Sequence, residues 1–287
     1  MIIINNDDIK AKLAHSLTAE TTELLPFLPY LLQDLWELGS SPPQIMSLIE
    51  KHIPLTNNLR ILDLACGKGA VSVHIAKDLR VKVDGFDLFP EFIEYAKEKA
   101  IEHSVRDLCS FYIADINEIV LTAKGYDCVI FGAVGNVLGN PEEALCKLQQ
   151  TIKPNGFIII DESYLPDGCN NEIISYQNYE YLFRHDWFNL FQDCNLDLIE
   201  EIISDGGENN TEKEMTAIIK RANELITSHP DHKELFMNYV QSQQNEYSDI
   251  EKSLVNVTWI LRNIPEEALL RDFEKIVIRL NNNLKPM

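Results

Sequence analysis

Residues 60–69 read Arg-Ile-Leu-Asp-Leu-Ala-Cys-Gly-Lys-Gly, an apolar run that meets a carboxylate at Asp63 and then breaks into small residues. The first half has the pattern of a buried strand. The second half, with Ala65, Gly67 and Gly69, predicts a tight turn where backbone can approach a ligand, followed by a helix whose free N–H groups point at it. The chain then alternates. Strands are predicted at 60–65, 81–87, 110–114, 127–131 and 156–161, and amphipathic helices near 69–79, 90–103, 116–123 and 141–152. Near-continuous apolar strands such as V-I-F and F-I-I-I suit a parallel sheet buried on both faces. With two further strands at 196–204 and 253–262, the expected fold is α/β: a doubly wound, seven-stranded, mostly parallel sheet with an antiparallel last strand.

Around that sheet the pattern predicts helical additions. Residues 1–58 read as an N-terminal helical cap, 59–204 as the core, 205–250 as a helical insertion forming a lid, and 251–287 as the last strand and a C-terminal helix. The long helical stretch at 211–248 exceeds an ordinary connection between strands. Because it joins the end of strand six to strand seven, it is expected to gather, with the N-terminal helices and the segment after strand five, over the ligand-binding edge of the sheet.

The 287 residues carry 25 Lys and Arg against 45 Asp and Glu, a formal net charge of −20. That balance repels a phosphate backbone and argues against a nucleic-acid partner. Acidic residues are densest over 200–251, which reads either as a solvated face or as a docking surface for a cationic substrate or partner. The six cysteines form no C-x-x-C pair, a reduced, intracellular pattern. The N-terminus lacks a leader pattern and no apolar run approaches a membrane span, so a soluble cytoplasmic protein is expected.

The turn admits two readings. Gly67-x-Gly69 after a strand, with Asp87 ending the next, is compatible with a dinucleotide site and hence a nicotinamide-dependent oxidoreductase. Two details oppose it. Ser72 stands at the third glycine position, and Asp63 would place a negative charge beside a pyrophosphate. A carboxylate there suits a ligand carrying a positive group, such as an amino-acid ammonium.

The succession of segments settles the comparison. D-L-A-C-G-K-G resembles motif I of the class I S-adenosylmethionine-dependent methyltransferases, with Ala65 in place of the commonest first glycine. V-D-G-F-D-L resembles motif II, Y-I-A-D-I the next segment, Y-D-C-V-I-F-G-A-V-G-N-V the fourth strand and its exit loop, and L-Q-Q-T-I-K-P-N-G-F-I-I-I-D-E the hallmark helix, K-P-x-G turn and fifth strand. The resemblance covers about residues 59–165. It implies S-adenosylmethionine as cofactor, held by Asp63 and the Ala65, Cys66, Gly67 and Gly69 turn. Asp87 with Leu88 is implied at the ribose, Asp115 and Ile116 at the adenine, and the backbone near Phe131 and Gly132 at the methionine portion.

The acceptor is expected to be a small molecule, because the signatures of DNA-amino, cytosine-C5, arginine and metal-dependent catechol-type enzymes are missing. His229 and His232 in H-P-D-H read as a helix-start loop, and no metal is expected. Candidates for the acceptor pocket are Tyr30, Asn136, Tyr176, Tyr179 and Trp187, with His185, Tyr164 and Glu162 as candidate proton acceptors. A non-catalytic cofactor-binding sensor or partner subunit is the further alternative. The lid and terminal helix are also compatible with a homodimer.

Overall fold

The computed structural model describes residues 7–169, 174–176, 179–204 and 211–265. Its sheet contains β1 (Arg60–Leu64), β2 (Lys82–Asp87), β3 (Cys109–Ile113), β4 (Tyr126–Gly132), β5 (Ile152–Tyr164), β6 (Leu196–Ile203) and β7 (Val255–Asn263), in the order β3-β2-β1-β4-β5-β7-β6. β7 runs antiparallel between β5 and β6, and the strands β1 to β5 pair in parallel. The order reverses between β1 and β4, which opens a crevice beyond their C-terminal ends.

Eleven helical segments surround this sheet among the described residues: α1 (Asp7–Ser16), a 3-10 turn (Thr22–Phe27), α2 (Leu28–Leu31), α3 (Pro42–His52), α4 (Ala70–Leu79), α5 (Pro90–Glu102), α6 (Ile116–Thr122), α7 (Pro141–Gln149), α8 (Arg184–Asp193), α9 (Thr211–Ser228) and α10 (Lys233–Lys252), besides two shorter 3-10 turns. Alternate strand residues feed two cores, as a period of two requires. On one face Leu62, Leu64, Val129, Ile158 and Trp259 pack with Leu145 and Leu148 of α7 and Trp187 and Phe191 of α8. On the other, Ile61, Val83, Ile130, Ile159 and Ile260 pack with Ile45, Leu48 and Ile49 of α3 and Ile75 of α4. The β4 exit loop is stopped by a capping box, in which Asn140 and Glu143 bond each other's backbone N–H at the start of α7.

The helices of 7–58 serve two places. α3 lies on the sheet, whereas α1, the 3-10 turn and α2 join α9 and α10 through a separate cluster containing Leu24, Leu28, Leu31, Ile218 and Phe236. Polar ties reinforce that union: Arg221 Nε and Nη2 reach the two Asp34 oxygens at 2.7 Å, Ser242 Oγ donates to Glu20 at 2.8 Å, and Thr18 donates to Glu246.

Three elements differ from expectation. β5 continues past Asp161 to Tyr164, because β7 supplies partners for Glu162, Ser163 and Tyr164. α8 is an unpredicted helix. The stretch at 211–248 is two antiparallel helices broken at His229-Pro230, where proline cannot donate to the preceding turn. The amphipathic helix expected after Pro265 lies outside the described residues.

Candidate active site

A cavity of about 940 Å³, counting its open mouth, lies beyond the C-terminal ends of β1, β2 and β4. Asp63, Ala65, Cys66, Gly67, Asp87 and Leu88 line it, as do Asp115, Ile116 and Gly132. Nine of the eleven residues expected at the cofactor are therefore brought together. The other two support the wall. Gly69 begins α4 with φ of 73°, and a Cβ there would stand 2.7 Å from that of Ala96 and 3.0 Å from the Phe111 ring. Phe131 points into the core of the α7 and α8 face.

The turn after β1 is built from left-handed residues: Ala65 has φ of 56° and Gly67 of 53°. The position where the resemblance expects glycine is thus demanding through its backbone angle rather than its size, and alanine there costs about 1–2 kcal/mol. The turn is held to β2 by Cys66 N donating to Phe86 O at 2.9 Å and Gly67 N donating to Asp87 Oδ2 at 2.9 Å. Asp87 Oδ1 also accepts from Phe89 N at 3.0 Å. Asp115 caps α6, accepting from the Asn117 backbone at 2.8 Å, and lines the cavity.

Two carboxyls in this wall are buried against their ordinary preference for water. Asp63 accepts a 2.5 Å bond from Ser72 Oγ; burial first, then the neighbouring Asp87 charge, pushes its pKa to about 7. Burial pushes Asp87 to about 6, opposed by the backbone N–H groups of Phe89, Gly67 and Leu88. No cation pairs with either among the described residues. Lys68 lies nearby in sequence but turns away: its Nζ donates to Leu32 O and Leu35 O, both at 2.5 Å, and burial lowers its pKa to about 8. With Trp36 Nε1 donating to Lys68 O at 3.1 Å, this lysine fastens the N-terminal segment to the turn.

A family model described as "Methyltransferase domain" matches residues 55–275. The chain belongs to that methyltransferase domain family. It is a class I, Rossmann-like S-adenosylmethionine-dependent member, as its motif succession implied, and the nicotinamide alternative is not favoured. The domain is 30% identical over 111 residues to malonyl-[acyl-carrier protein] O-methyltransferase of Halalkalibacterium halodurans, an overlap of 37% of this chain and 40% of that protein. It is 28% identical over 119 residues to a ubiquinone/menaquinone biosynthesis C-methyltransferase of Geotalea daltonii, covering 40% and 50%. The chain spans at most half the length of these relatives. Among solved structures, the S-adenosylmethionine-dependent methyltransferase of Geobacter sulfurreducens in complex with S-adenosyl-L-homocysteine shares the fold, with a TM-score of 0.68 at 19% identity, covering 82% of this chain and 97% of that one.

The roof of this methyltransferase domain's cavity differs from expectation. Ile9, Leu13 and Ser16 of α1 and Leu17 just after it, with Trp36, Leu38 and Ser40, close over it; the insertion helices α9 and α10 buttress these from behind and contribute no lining residue. Ser41 N anchors the crossing loop by donating to Asp161 Oδ2 at 2.9 Å. The spacing of Ile9, Leu13 and Leu17 signals an apolar helical stripe, but the sequence gives no sign of what it covers.

None of the acceptor-pocket or base candidates lines the main cavity. Asn136, Glu162, Tyr179 and Trp187 surround a smaller cleft of about 320 Å³ beside it. Tyr30 is on the outer surface, donating to Glu224 at 2.7 Å. Tyr176 is buried in the roof, its hydroxyl donating to His15 O at 3.0 Å. Tyr164 stacks on Trp259 in the core, with centroids 6.1 Å apart. His185 projects outward from α8 with 64% of its side chain exposed and lines neither cavity. His229 and His232 pack on Phe27. No helix among the described residues is long and apolar enough to cross a membrane.

Proposed function

We propose that this protein transfers the methyl group of S-adenosylmethionine to a small-molecule acceptor. The observation that carries the reading is the juxtaposition, in one cavity, of the buried and cation-free Asp63, the left-handed turn at 65–67, Asp87 and Asp115. The residues fit the cofactor. Asp63 would take the ammonium, Asp87 and Leu88 the ribose hydroxyls, Asp115 and Ile116 the adenine, and the backbone around Gly132 the methionine portion. The cofactor supplies a methyl group already activated on a sulfonium.

What the chain itself must do is modest. The turn and the three carboxylates position the donor, and the apolar roof of Leu13, Leu17, Val134 and Val137 keeps water away from it. An acceptor arriving without a proton on its nucleophilic atom needs no base from the protein. The relatives' printed acceptors, a malonyl group on a carrier protein and a quinone precursor, support a small acceptor group, as does the net charge of −20.

Calorimetric titration with S-adenosylhomocysteine tests the first half of the proposal. One site saturating below millimolar ligand is expected, with thermal stabilisation of about 2.7 kcal/mol at roughly 100 times the dissociation constant. NADH should give neither response. Absence of S-adenosylhomocysteine binding at millimolar concentration would end this reading.

A further inference from the structure

Beside the cofactor cavity lies a second, smaller space that the methyl-donor reading leaves unassigned. It measures about 320 Å³ with its mouth, against about 940 Å³ for the cofactor cavity. The β4 exit loop walls both. Gly132, Ala133, Val134 and Val137 line the cofactor cavity, whereas Phe131, Gly135 and Asn136 line the cleft, and no residue lines the two together. The rest of the cleft is largely apolar, with Leu145 and Leu148 of α7 and Ile160 of β5 in its wall.

Two polar groups in that wall have hydrogen-bonding capacity to spare. Trp187 of α8 is only 5% exposed and lines the cleft, yet its indole Nε1–H has no acceptor. Taking an N–H out of water without a partner is costly, and a buried tryptophan ordinarily finds one. Glu162, at the C-terminal end of β5, also lines the cleft. Each of its oxygens accepts one hydrogen bond, from Ser163 N at 2.9 Å and from Tyr179 Oη at 2.9 Å. A carboxylate oxygen has a further lone pair. The cleft thus presents one donor and one acceptor in an apolar setting.

That combination selects a chemical class. A hydroxyl group meets both demands, since it donates its proton and accepts on its oxygen. An ammonium only donates and would leave the indole unpaired. A carboxylate only accepts and would bring a second negative charge to Glu162, and a hydrocarbon satisfies neither group. We propose that the cleft is a second small-molecule site, which takes a neutral hydroxyl compound with a single-ring apolar body, its hydroxyl donating to Glu162 and accepting from Trp187. Asn136, exposed beside the cleft, stands at its mouth. The site does not depend on the methyl-donor reading.

The test is binding to the full chain without cofactor. Phenol and cyclohexanol are titrated by calorimetry beside toluene, benzoate and benzylammonium. At least one of the two hydroxyl compounds should bind about tenfold or more tighter than each of the other three. In nitrogen–proton correlation spectra the indole signal assigned to Trp187 should move downfield on saturation with that compound, as its N–H gains an acceptor. Ala144→Leu, which enlarges a side chain lining the cleft, should abolish the binding while leaving S-adenosylhomocysteine affinity within about threefold. If that variant fails to fold, the calorimetric preference and the Trp187 signal decide. A smaller preference, binding of none of the five, an unmoved Trp187 signal, or binding retained in a folded Ala144→Leu overturns the proposal and leaves the cleft to water. Failure of S-adenosylhomocysteine to bind refutes the methyl-donor reading and leaves this site standing.

Discussion

Replacing Asp63 by Asn should stabilise the unliganded protein at neutral pH while removing its affinity for the methyl donor. Burial moves this carboxyl from 3.8 to about 7, which corresponds to about 4 kcal/mol between its neutral and ionised forms. Relaxation and water entry reduce that figure, so the expected gain for Asp63→Asn at pH 8 is about 1–3 kcal/mol. The sign follows from linkage. Below pH 4 the carboxyl is protonated in folded and unfolded chains alike, and its titration contributes no difference. Between about 4 and 7 the unfolded chain releases the proton and the folded chain keeps it, so wild-type stability falls as pH rises. Asn does not titrate, and the advantage of the variant should therefore grow across that window and level off above it. Urea denaturation of both proteins at several pH values from 4 to 8 reads this directly. Saturating S-adenosylhomocysteine should reverse the ranking, because its ammonium compensates the wild-type carboxylate only. An advantage independent of pH, or a variant less stable than wild type at pH 8 without ligand, would refute the reasoning.

Three other outcomes are expected. Gly69→Ala should lose about 2–5 kcal/mol in thermal unfolding, from left-handed backbone strain of about 1–2 kcal/mol and crowding of Ala96 and Phe111 worth about 1–3. Lys68→Met should lower stability by about 1–3 kcal/mol, since the Leu32 and Leu35 carbonyls lose a buried donor; limited proteolysis should show earlier cleavage between residues 7 and 41. His185→Ala should leave kcat unchanged across pH 6–9, because the side chain points to solvent; a lost acidic limb in the pH–rate profile would reinstate it as a proton acceptor.

The strands were legible because their neighbours in the core impose a two-residue period or a continuous apolar run, visible in V-I-F and F-I-I-I. α8 was not. Its R-H-D-W-F-N-L-F-Q-D mixes aromatic and polar residues, and only packing of Trp187 and Phe191 against Trp259 fixes it as a helix. The break between α9 and α10 was written in the chain at Pro230, but the flanking amphipathic pattern runs through it with little change of period.

The wall of the cavity was readable for a related reason. Asp63 to Gly69 is a contiguous turn whose chemistry is local, and Asp87 and Asp115 follow at the ends of successive parallel strands, which must deliver them to the same edge. The roof is assembled otherwise. Leu13 and Leu17 reach the cavity from α1 and the turn after it, and α9 and α10 hold that segment in place through contacts between residues far apart in the chain. By itself the sequence determined the sheet and the methyl donor, since both depend on short-range pattern. Which side chains roof the cavity was decided only by tertiary packing, because no local spacing encodes a contact such as that between Thr18 and Glu246.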